Sequence, residues 1–404
     1  MDIRQAIKFG MYADSKLASK TTIYFASFII LGMAAAILGP TLPNLADRTG
    51  SMLSKISFLF TARSLGYLMG SLSSGRAFDR KPGHVLLFLS LVVMAILFFL
   101  IPLITWLWII VGAFFILGIG EGFIDVGGNV MVVWAHKHKV SSYINGLHFF
   151  FGFGALLIPI IVALTLIAFG DVFYSYWILG LLVVPIAGLV LFLPSPESVK
   201  ESRDLEQVKV NRIIVLMMSI FFVLYVGAEV SYGGWIFTYA TSLGLGSGVS
   251  AAYLTSAFWG ALTLGRLLMI PIAGRIRPMV VITIALAGCV VSLFLIILNP
   301  SSVPILWIGT VVLGLSMGPI FPTMIAFSER RMALTGNIMR WLFVGAGLGG
   351  MFLPWFIGQL FETIGQDVAI YVILLDILVT IVVFLGVALV SRPAKVRKMN
   401  TRTY

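Results

Sequence analysis

The chain has 404 residues, 60% of them hydrophobic and only 11% charged, with a mean hydropathy of +1.06. Soluble domains average about 25% charged residues, so this composition excludes an ordinary soluble globule, and the single cysteine, Cys289, excludes an internal disulfide. The net charge of +11 would suit a nucleic-acid binder if it were clustered, but its distribution follows membrane topology, and no nucleic-acid partner is expected.

After a polar, basic segment over residues 1–20, runs long enough to cross a bilayer are read at 22–43, 56–75, 85–104, 106–133, 142–168, 173–193, 213–240, 250–273, 279–298, 304–326, 338–360 and 368–390. Twelve spans put both termini on one side. With that side inside, only Arg48 and Lys55 fall in outside loops, Arg63 and Arg266 fall deep within spans, and Arg340 falls at the inner end of the 338–360 span; every other Lys and Arg lies in an inside segment. This is a strong positive-inside signal. The expected fold is therefore an all-α integral membrane protein of 12 transmembrane helices with both termini cytoplasmic. It divides into an N-terminal six-helix half (1–193), a charged cytoplasmic linker (194–212), a C-terminal six-helix half (213–390) and a basic cytoplasmic tail (391–404).

Span 4 carries the most expensive residues. Glu121, Asp125 and Asn129 recur at i, i+4 and i+8, which puts them on one helix face. A charge at bilayer depth costs roughly 2.5–3.5 kcal/mol on insertion scales, so such a stripe marks a pathway or a coupling site by default. Span 2 brings Arg63 to the depth of Glu121. In span 5, His148 lies near the depth of Asp125, and Asn145 near that of Asn129. Two layers are expected: Glu121 with Arg63, and Asp125 with His148, flanked by Asn129 and Asn145. Asp125 is read as the ligand of a coupling cation, with Glu121, Asn129, His148 and Arg63 assisting. Carboxylate and amide oxygens suit Na⁺ at Asp125 and Asn129, and a carboxylate beside a histidine suits H⁺. The bland alternative is an ion pair that merely packs spans 2 and 4.

The halves repeat. Gly32 and Gly39 recur as Gly227 and Gly234, and Gly152, Gly154 and Pro159 recur as Gly347, Gly349 and Pro354, all at an offset of 195; Gly118 and Gly122 recur as Gly314 and Gly318 at 196. The loop after span 2 reads Gly75-Arg76-Ala77-Phe78-Asp79-Arg80-Lys81-Pro82-Gly83-His84. The repeat resembles the plan of major facilitator transporters, which bind substrate near the midplane between halves, and the loop resembles their signature loop. Here one extra residue separates Asp79-Arg80 from Gly83, and His84 stands where a basic residue is usual. Gly75, Asp79, Arg80 and Gly83 are expected to form a cytoplasmic gate. A reduced copy, Gly274-Arg275-Ile276-Arg277-Pro278, lacks the acid.

Three longer strings narrow the resemblance: Gly120-Glu121-Gly122-Phe123-Ile124-Asp125-Val126-Gly127-Gly128-Asn129, His148-Phe149-Phe150-Phe151-Gly152-Phe153-Gly154-Ala155 and Tyr225-Val226-Gly227-Ala228-Glu229-Val230-Ser231-Tyr232-Gly233-Gly234-Trp235. Together the chain is similar to the sodium-dependent glucose transporter-like and fucose/glucose–galactose symporter branch. That resemblance implies uptake of a monosaccharide such as glucose, coupled to Na⁺ or H⁺, by a monomer in a cell inner membrane with no cofactor beyond the coupling ion.

In the second half, Glu229 lies at mid-depth, followed by Tyr232 and Trp235. An acid accepts hydroxyl hydrogen bonds and an aromatic ring stacks on a sugar's C–H face. Glu229, Tyr232, Trp235, Asn145 and Trp259 are the expected substrate contacts, with Trp341 a weaker candidate. Gly233-Gly234 is expected to loosen the helix. Arg266 is expected to snorkel or meet carbonyls, and Asp376 has no evident partner. A proton-driven exporter of hydrophobic compounds is the alternative function and would want a greasier cavity. An enzyme is not expected: no phosphate-binding glycine loop is present, the four histidines lack metal-ligand spacing, and His136 and His138 read as solvated loop charge.

Overall fold

The structure, a computed structural model, describes residues 3–136, 140–196, 212–271, 275–332 and 336–390. Most of the linker (197–211), the tail (391–404), His138 and Gly274 lie outside the described residues. Within them the chain is helical throughout, apart from turns and short connections, and no strand occurs. The helices are α1 (Ile3–Ala36), α2 (Leu38–Thr49), α3 (Leu53–Ile56), α4 (Phe58–Phe78), α5 (Gly83–Leu100), α6 (Leu107–His136), α7 (Val140–Phe169), α8 (Tyr174–Phe192), α9 (Arg212–Ser242), α10 (Gly248–Met269), α11 (Pro278–Leu298), α12 (Val303–Met317), α13 (Ile320–Glu329), α14 (Gly336–Ile364) and α15 (Val368–Val390).

Ten helical segments are long and apolar enough to cross a membrane among the described residues, with α12 and α13 counted as one. Helices α4 and α10, of 21 and 22 residues, fall outside that set because they carry Arg63, Arg266 and several polar residues. They lie in the same bundle, packed on α6 and on α7 and α12. The outer surface is rich in exposed Leu, Ile, Val and Phe, among them Leu181, Val184, Leu295 and Val382. An apolar surface of this extent suits lipid rather than water.

Two of the runs read as continuous are broken, and proline accounts for both breaks. Proline removes the hydrogen bond to the carbonyl four residues back and crowds it. Helix α1 ends at Ala36, four residues before Pro40, and the chain resumes as α2. Helix α12 ends beside Gly318, four residues before Pro322, and resumes as α13. By contrast Gly233-Gly234, expected to loosen span 7, lies inside an unbroken α9. Those glycines serve close approach instead: a Cβ on Gly233 would lie 2.5 Å from Trp259, and one on Gly234 2.8 Å from Phe60.

The repeated glycines are packing positions. In the first half, Cβ atoms at Gly118 and Gly122 would strike the carbonyls of Arg63 and Tyr67 on α4; at the matching positions, Gly314 and Gly318 approach the carbonyls of Phe258 and Leu262 on α10. Gly154 lies against the Ile29 carbonyl, and its counterpart Gly349 against the Val223 carbonyl. The α4–α6 crossing is thus rebuilt as α10–α12, and α1–α7 as α9–α14. Small residues let backbones approach closely, the main source of helix association in lipid. Across the two groups of helices, α4 packs on α14, α7 on α10, and α2 on α9.

Gly154→Ala is expected to destabilise the protein by about 1–3 kcal/mol, the usual cost of overpacking. Gly112→Ala and Gly188→Ala, where an added Cβ meets nothing within 4 Å, are expected to leave thermal unfolding in detergent unchanged.

Candidate functional site

A cavity of about 810 Å³ lies between α1–α8 and α9–α15, within the size range of small-molecule sites. It runs from the bundle centre to the end that carries the residue-80 turn, where Ile276, Pro278 and Arg330 line it. At the other end, Gly39, Phe60, Gly233 and Gly234 roof it. Its wall carries three guanidinium groups, Arg63, Arg266 and Arg330, and three carboxylates, Glu121, Asp125 and Glu229, together with Asn145, His148, Trp259 and several aromatic side chains. Its formal charge is therefore balanced when His148 is neutral.

The first-half wall is built by α4 and α6, which run parallel and in register. Arg63 Nη2 lies 2.8 Å from Glu121 Oε2 and Arg63 Nε 2.9 Å from Oε1, a two-point guanidinium–carboxylate fork. Glu121 is 1% exposed. One turn along both helices, the Tyr67 hydroxyl donates to Asp125 Oδ2. Asn129 donates through Nδ2 to Asp125 Oδ1 at 3.2 Å and to its backbone carbonyl at 2.9 Å. The expected Glu121–Arg63 layer is thus brought together. The Asp125 layer differs. Its partners are Tyr67 and Asn129, and His148 makes no hydrogen bond to it. His148 faces the cavity beside Phe28, ring centroids 6.3 Å apart, and Asn145 lines the cavity one turn earlier on α7. Asn129 turns its amide N–H₂ toward Asp125, so its carbonyl oxygen faces away, and Asn129 does not line the cavity.

Tyr67 was not anticipated, although a signal existed. Arg63 and Tyr67 are spaced i, i+4, as are Glu121 and Asp125, and both cross-helix pairs are separated by 58 residues. Two parallel helices with matching polar spacing meet partner to partner.

On the second-half wall, Glu229 is 8% exposed. It takes Arg266 Nη2 at 3.3 Å on Oε1 and the Tyr225 hydroxyl at 2.5 Å on Oε2; that hydroxyl also lies 2.8 Å from the Met317 carbonyl. Arg266, expected to snorkel or meet carbonyls, is instead the ion-pair partner of Glu229. Trp259 lines the cavity, but Tyr232 and Trp235 do not, which corrects the expected substrate wall. The Tyr232 hydroxyl lies 2.7 Å from Thr310 Oγ1, and Trp235 donates to the Pro354 carbonyl at 2.9 Å and stacks on Phe361. At about 100° per residue, Trp235 at i+6 points roughly 120° away from Glu229. Val226, Val230 and Gly233 share the face of Glu229 and do line the cavity. Trp341 is exposed outside the cavity lining, and Asp376 is buried in α15 with Oδ2 unpartnered.

A model of the Major Facilitator Superfamily matches residues 24–354. The chain belongs to this superfamily. Its sequence is 32% identical over 358 residues to sodium-dependent glucose transporter 1 of Xenopus laevis, covering 81% of this chain and 73% of that protein. It is 31% identical over 375 residues to sodium-dependent glucose transporter 1A of Mus musculus, covering 83% and 88%. It is also 26% identical to the human major facilitator superfamily domain-containing protein 4A, covering 86% and 87%. Among solved structures, the D-xylose-proton symporter superposes with a TM-score of 0.73 at 15% identity, over 90% of this chain and 96% of that one. The nucleoside transporter NupG does so with 0.72 at 14%, over 93% and 98%. These structures share the fold, and the chain is a multi-pass integral membrane protein of this transporter superfamily, related to transporters rather than to enzymes.

At the residue-80 end of this facilitator, the residues expected to form a cytoplasmic gate make no latch among the described residues. Asp79 caps α4 and is exposed, as is Arg80, and Asp79 takes part in no ion pair among the described residues. Gly75 faces open space, whereas Gly83 is buried and a Cβ there would strike Met131. His84 ties helix ends together: Nδ1 donates to the Leu193 carbonyl at 2.7 Å, which leaves Nε2 to accept from Tyr24 at 2.8 Å. His136, read as solvated, is buried, stacked on Tyr143 and 2.6 Å from Thr21 Oγ1; α6 runs through it. At the opposite end a clasp is closed. Glu362 accepts from Leu53 N at 2.7 Å and Ser54 Oγ at 2.9 Å, and Gln359 donates to the Ser54 carbonyl at 2.7 Å and Ser57 Oγ at 3.2 Å.

Breaking one side of a buried ion pair costs about 3–5 kcal/mol, whereas replacing both partners with apolar groups is often neutral. Glu121→Ala is therefore expected to lower thermal stability sharply in detergent, and Arg63→Met with Glu121→Leu is expected to recover most of the loss.

Proposed function

We propose that the chain is a secondary active transporter that couples Na⁺ or H⁺ to uptake of a monosaccharide such as glucose by alternating access. In this reading it has twelve spans, with α4 and α10 among them, and cytoplasmic termini. It acts as a monomer in a cell membrane. With the termini inside, the cavity opens to the cytoplasm and the Glu362 clasp closes the outer side.

One observation carries the coupling site. Of the three cavity carboxylates, Glu121 and Glu229 are each held by an arginine, and Asp125 has no cationic partner in hydrogen-bond contact. A carboxylate in a low-dielectric site is stable only when something compensates it. Tyr67 and Asn129 do so by hydrogen bonding, and an incoming cation would do so more fully. Proton entry needs only that Asp125 accept it. Sodium entry needs oxygen ligands, which Asn129 supplies by turning its amide. The relatives named as sodium-dependent glucose transporters support Na⁺ and a sugar. The balanced wall supports a neutral ligand, because a net-neutral polar cavity neither attracts nor repels ions strongly.

The exporter reading draws on the aromatic part of the wall, Phe28, Phe149, Phe321 and Phe343. It predicts no gradient-driven sugar accumulation.

In proteoliposomes with an inward Na⁺ gradient and equal pH, labelled glucose is expected to accumulate above equilibrium; accumulation under an inward proton gradient alone would assign H⁺, and silence under both would remove glucose. Asp125→Asn is expected to reduce accumulation to the equilibrium level while exchange of sugar across the membrane persists. Full accumulation by that variant would rule Asp125 out as the coupling group.

A further inference from the structure

The polar groups of the cavity differ in which of their atoms are already engaged. Both oxygens of Glu229 are taken, one by Arg266 and one by Tyr225. Two donors on α10 have no acceptor among the described residues: the Trp259 indole N–H and the Arg266 Nε–H, both buried. Trp259, Thr263 and Arg266 recur at i, i+4 and i+7, which places them on one helix face, and all three line the cavity. Buried donors are almost always paired, and leaving one unpaired is costly.

Packing rather than hydrogen bonding fixes these groups. The indole sits over Gly233, where an added Cβ would lie 2.5 Å from its ring. Thr263 spends its hydroxyl proton on the Trp259 carbonyl at 2.8 Å and packs on Gly152 of α7. Arg266 is held through Nη2 by Glu229, which leaves its Nε–H free. Both N–H groups lie just under the cavity surface in this state, so a ligand's acceptor reaches them as the wall adjusts around it.

We propose that this face of α10 is the recognition surface of the second half. Trp259 Nε1 and Arg266 Nε each donate to an oxygen of a neutral, polyhydroxylated ligand, and Glu229 is a positioning residue that holds the Arg266 fork rather than a sugar hydroxyl. The proposal deepens the sugar-symport reading and rests on it for the choice of probe. An apolar ligand would leave both donors unpaired, so the chemistry selects a ligand rich in acceptor oxygens. Helix α10 also packs on α7, where Ser256 donates to the Leu156 carbonyl at 2.6 Å. A ligand seated on α10 therefore lies beside the helix that carries Asn145 and His148.

The test is exchange of labelled glucose across proteoliposomes without any ion gradient, with D-glucose and its monodeoxy analogues as competitors. Loss of one hydrogen bond is worth about tenfold. In the unmodified protein, some deoxy positions are expected to compete about tenfold more weakly than glucose. In Trp259→Phe, which keeps the ring and removes the N–H, half-saturation rises by about that factor, maximal exchange is unchanged, and discrimination at one hydroxyl disappears. Arg266→Lys erases discrimination at a different hydroxyl, and Glu229→Gln weakens discrimination at the same one as Arg266→Lys. Variants whose half-saturation and deoxy profile match the unmodified protein would overturn the proposal. If the unmodified protein exchanges no glucose, the glucose reading fails separately, and thermal stabilisation of the purified protein by neutral polyols and by an apolar ammonium cation then decides. Stabilisation by a polyol that Trp259→Phe loses upholds the recognition surface. Stabilisation by the apolar cation alone, or by nothing in the panel, overturns it.

Discussion

The close parallel crossing of α4 and α6 is the constraint on which the site depends. Gly66, Gly70, Gly118 and Gly122 bring the two backbones into direct contact, and nothing larger than hydrogen fits at those positions. Only at that distance does Arg63 reach both oxygens of Glu121, and only with that register does Tyr67 meet Asp125 one turn later. An ion pair in a membrane is tolerated when its charges are mutually compensated and its geometry is fixed. The glycines supply the geometry. The consequence is a difference between two acids on one helix face: Glu121 is locked by Arg63, whereas Asp125 is held by hydrogen bonds alone, and in the proposed reading a cation would replace that compensation.

The second half repeats the crossing but not the chemistry. Gly265, Gly314 and Gly318 rebuild the contact between α10 and α12, yet the positions that correspond to Arg63, Tyr67, Glu121 and Asp125 are Phe258, Leu262, Met317 and Phe321. Packing is thus kept in both halves while charge is moved. The second-half pair, Glu229 with Arg266, joins α9 to α10 instead. In the proposed reading this is a two-fold frame with a one-sided ion site: the frame would rock as two similar bodies, and the cation and the ligand would be met by different walls.

How much of this was legible follows from the geometry of helices. Depth along a span can be counted at 1.5 Å per residue, so Arg63 and Glu121, on parallel spans, were matched from sequence, and so was the glycine repeat. Rotation around a helix is less forgiving. Tyr232 and Trp235 follow Glu229 by three and six residues on α9 but point away from the cavity, and they pack into α12 and α14 instead. The Arg266–Glu229 pair escaped because α9 and α10 run antiparallel and the arginine sits about five residues deeper, roughly 7 Å of rise, a gap its long side chain spans. Glu362 was passed over because it lies just beyond the apolar run, where a carboxylate looks like ordinary surface charge. A His-Lys pattern after an apolar run looks like loop, whereas α6 reaches His136 and buries it against Tyr143.

The two ends of the bundle bear on how the proposed cycle is balanced. At the residue-50 end, four hydrogen bonds join α3 and its flanking residues to α14, and at the other end Asp79 makes no ion pair among the described residues. A net hydrogen bond contributes about 0.5–1.5 kcal/mol, and exposed ones sit at the lower end. The clasp therefore favours this state by only a few kcal/mol. A ligand of millimolar affinity binds with about 4 kcal/mol, and a ligand shifts an equilibrium by its difference in affinity between the two states. Clasp and ligand energies are of the same order, so the clasp by itself does not trap this state. A stronger clasp, such as a set of buried arginine–carboxylate forks, would hold that end shut beyond what a ligand of such affinity could reverse. The arginine–carboxylate pairs are instead found within each half, a two-point fork at Arg63–Glu121 and a single contact at Arg266–Glu229, where they do not have to break when the halves move.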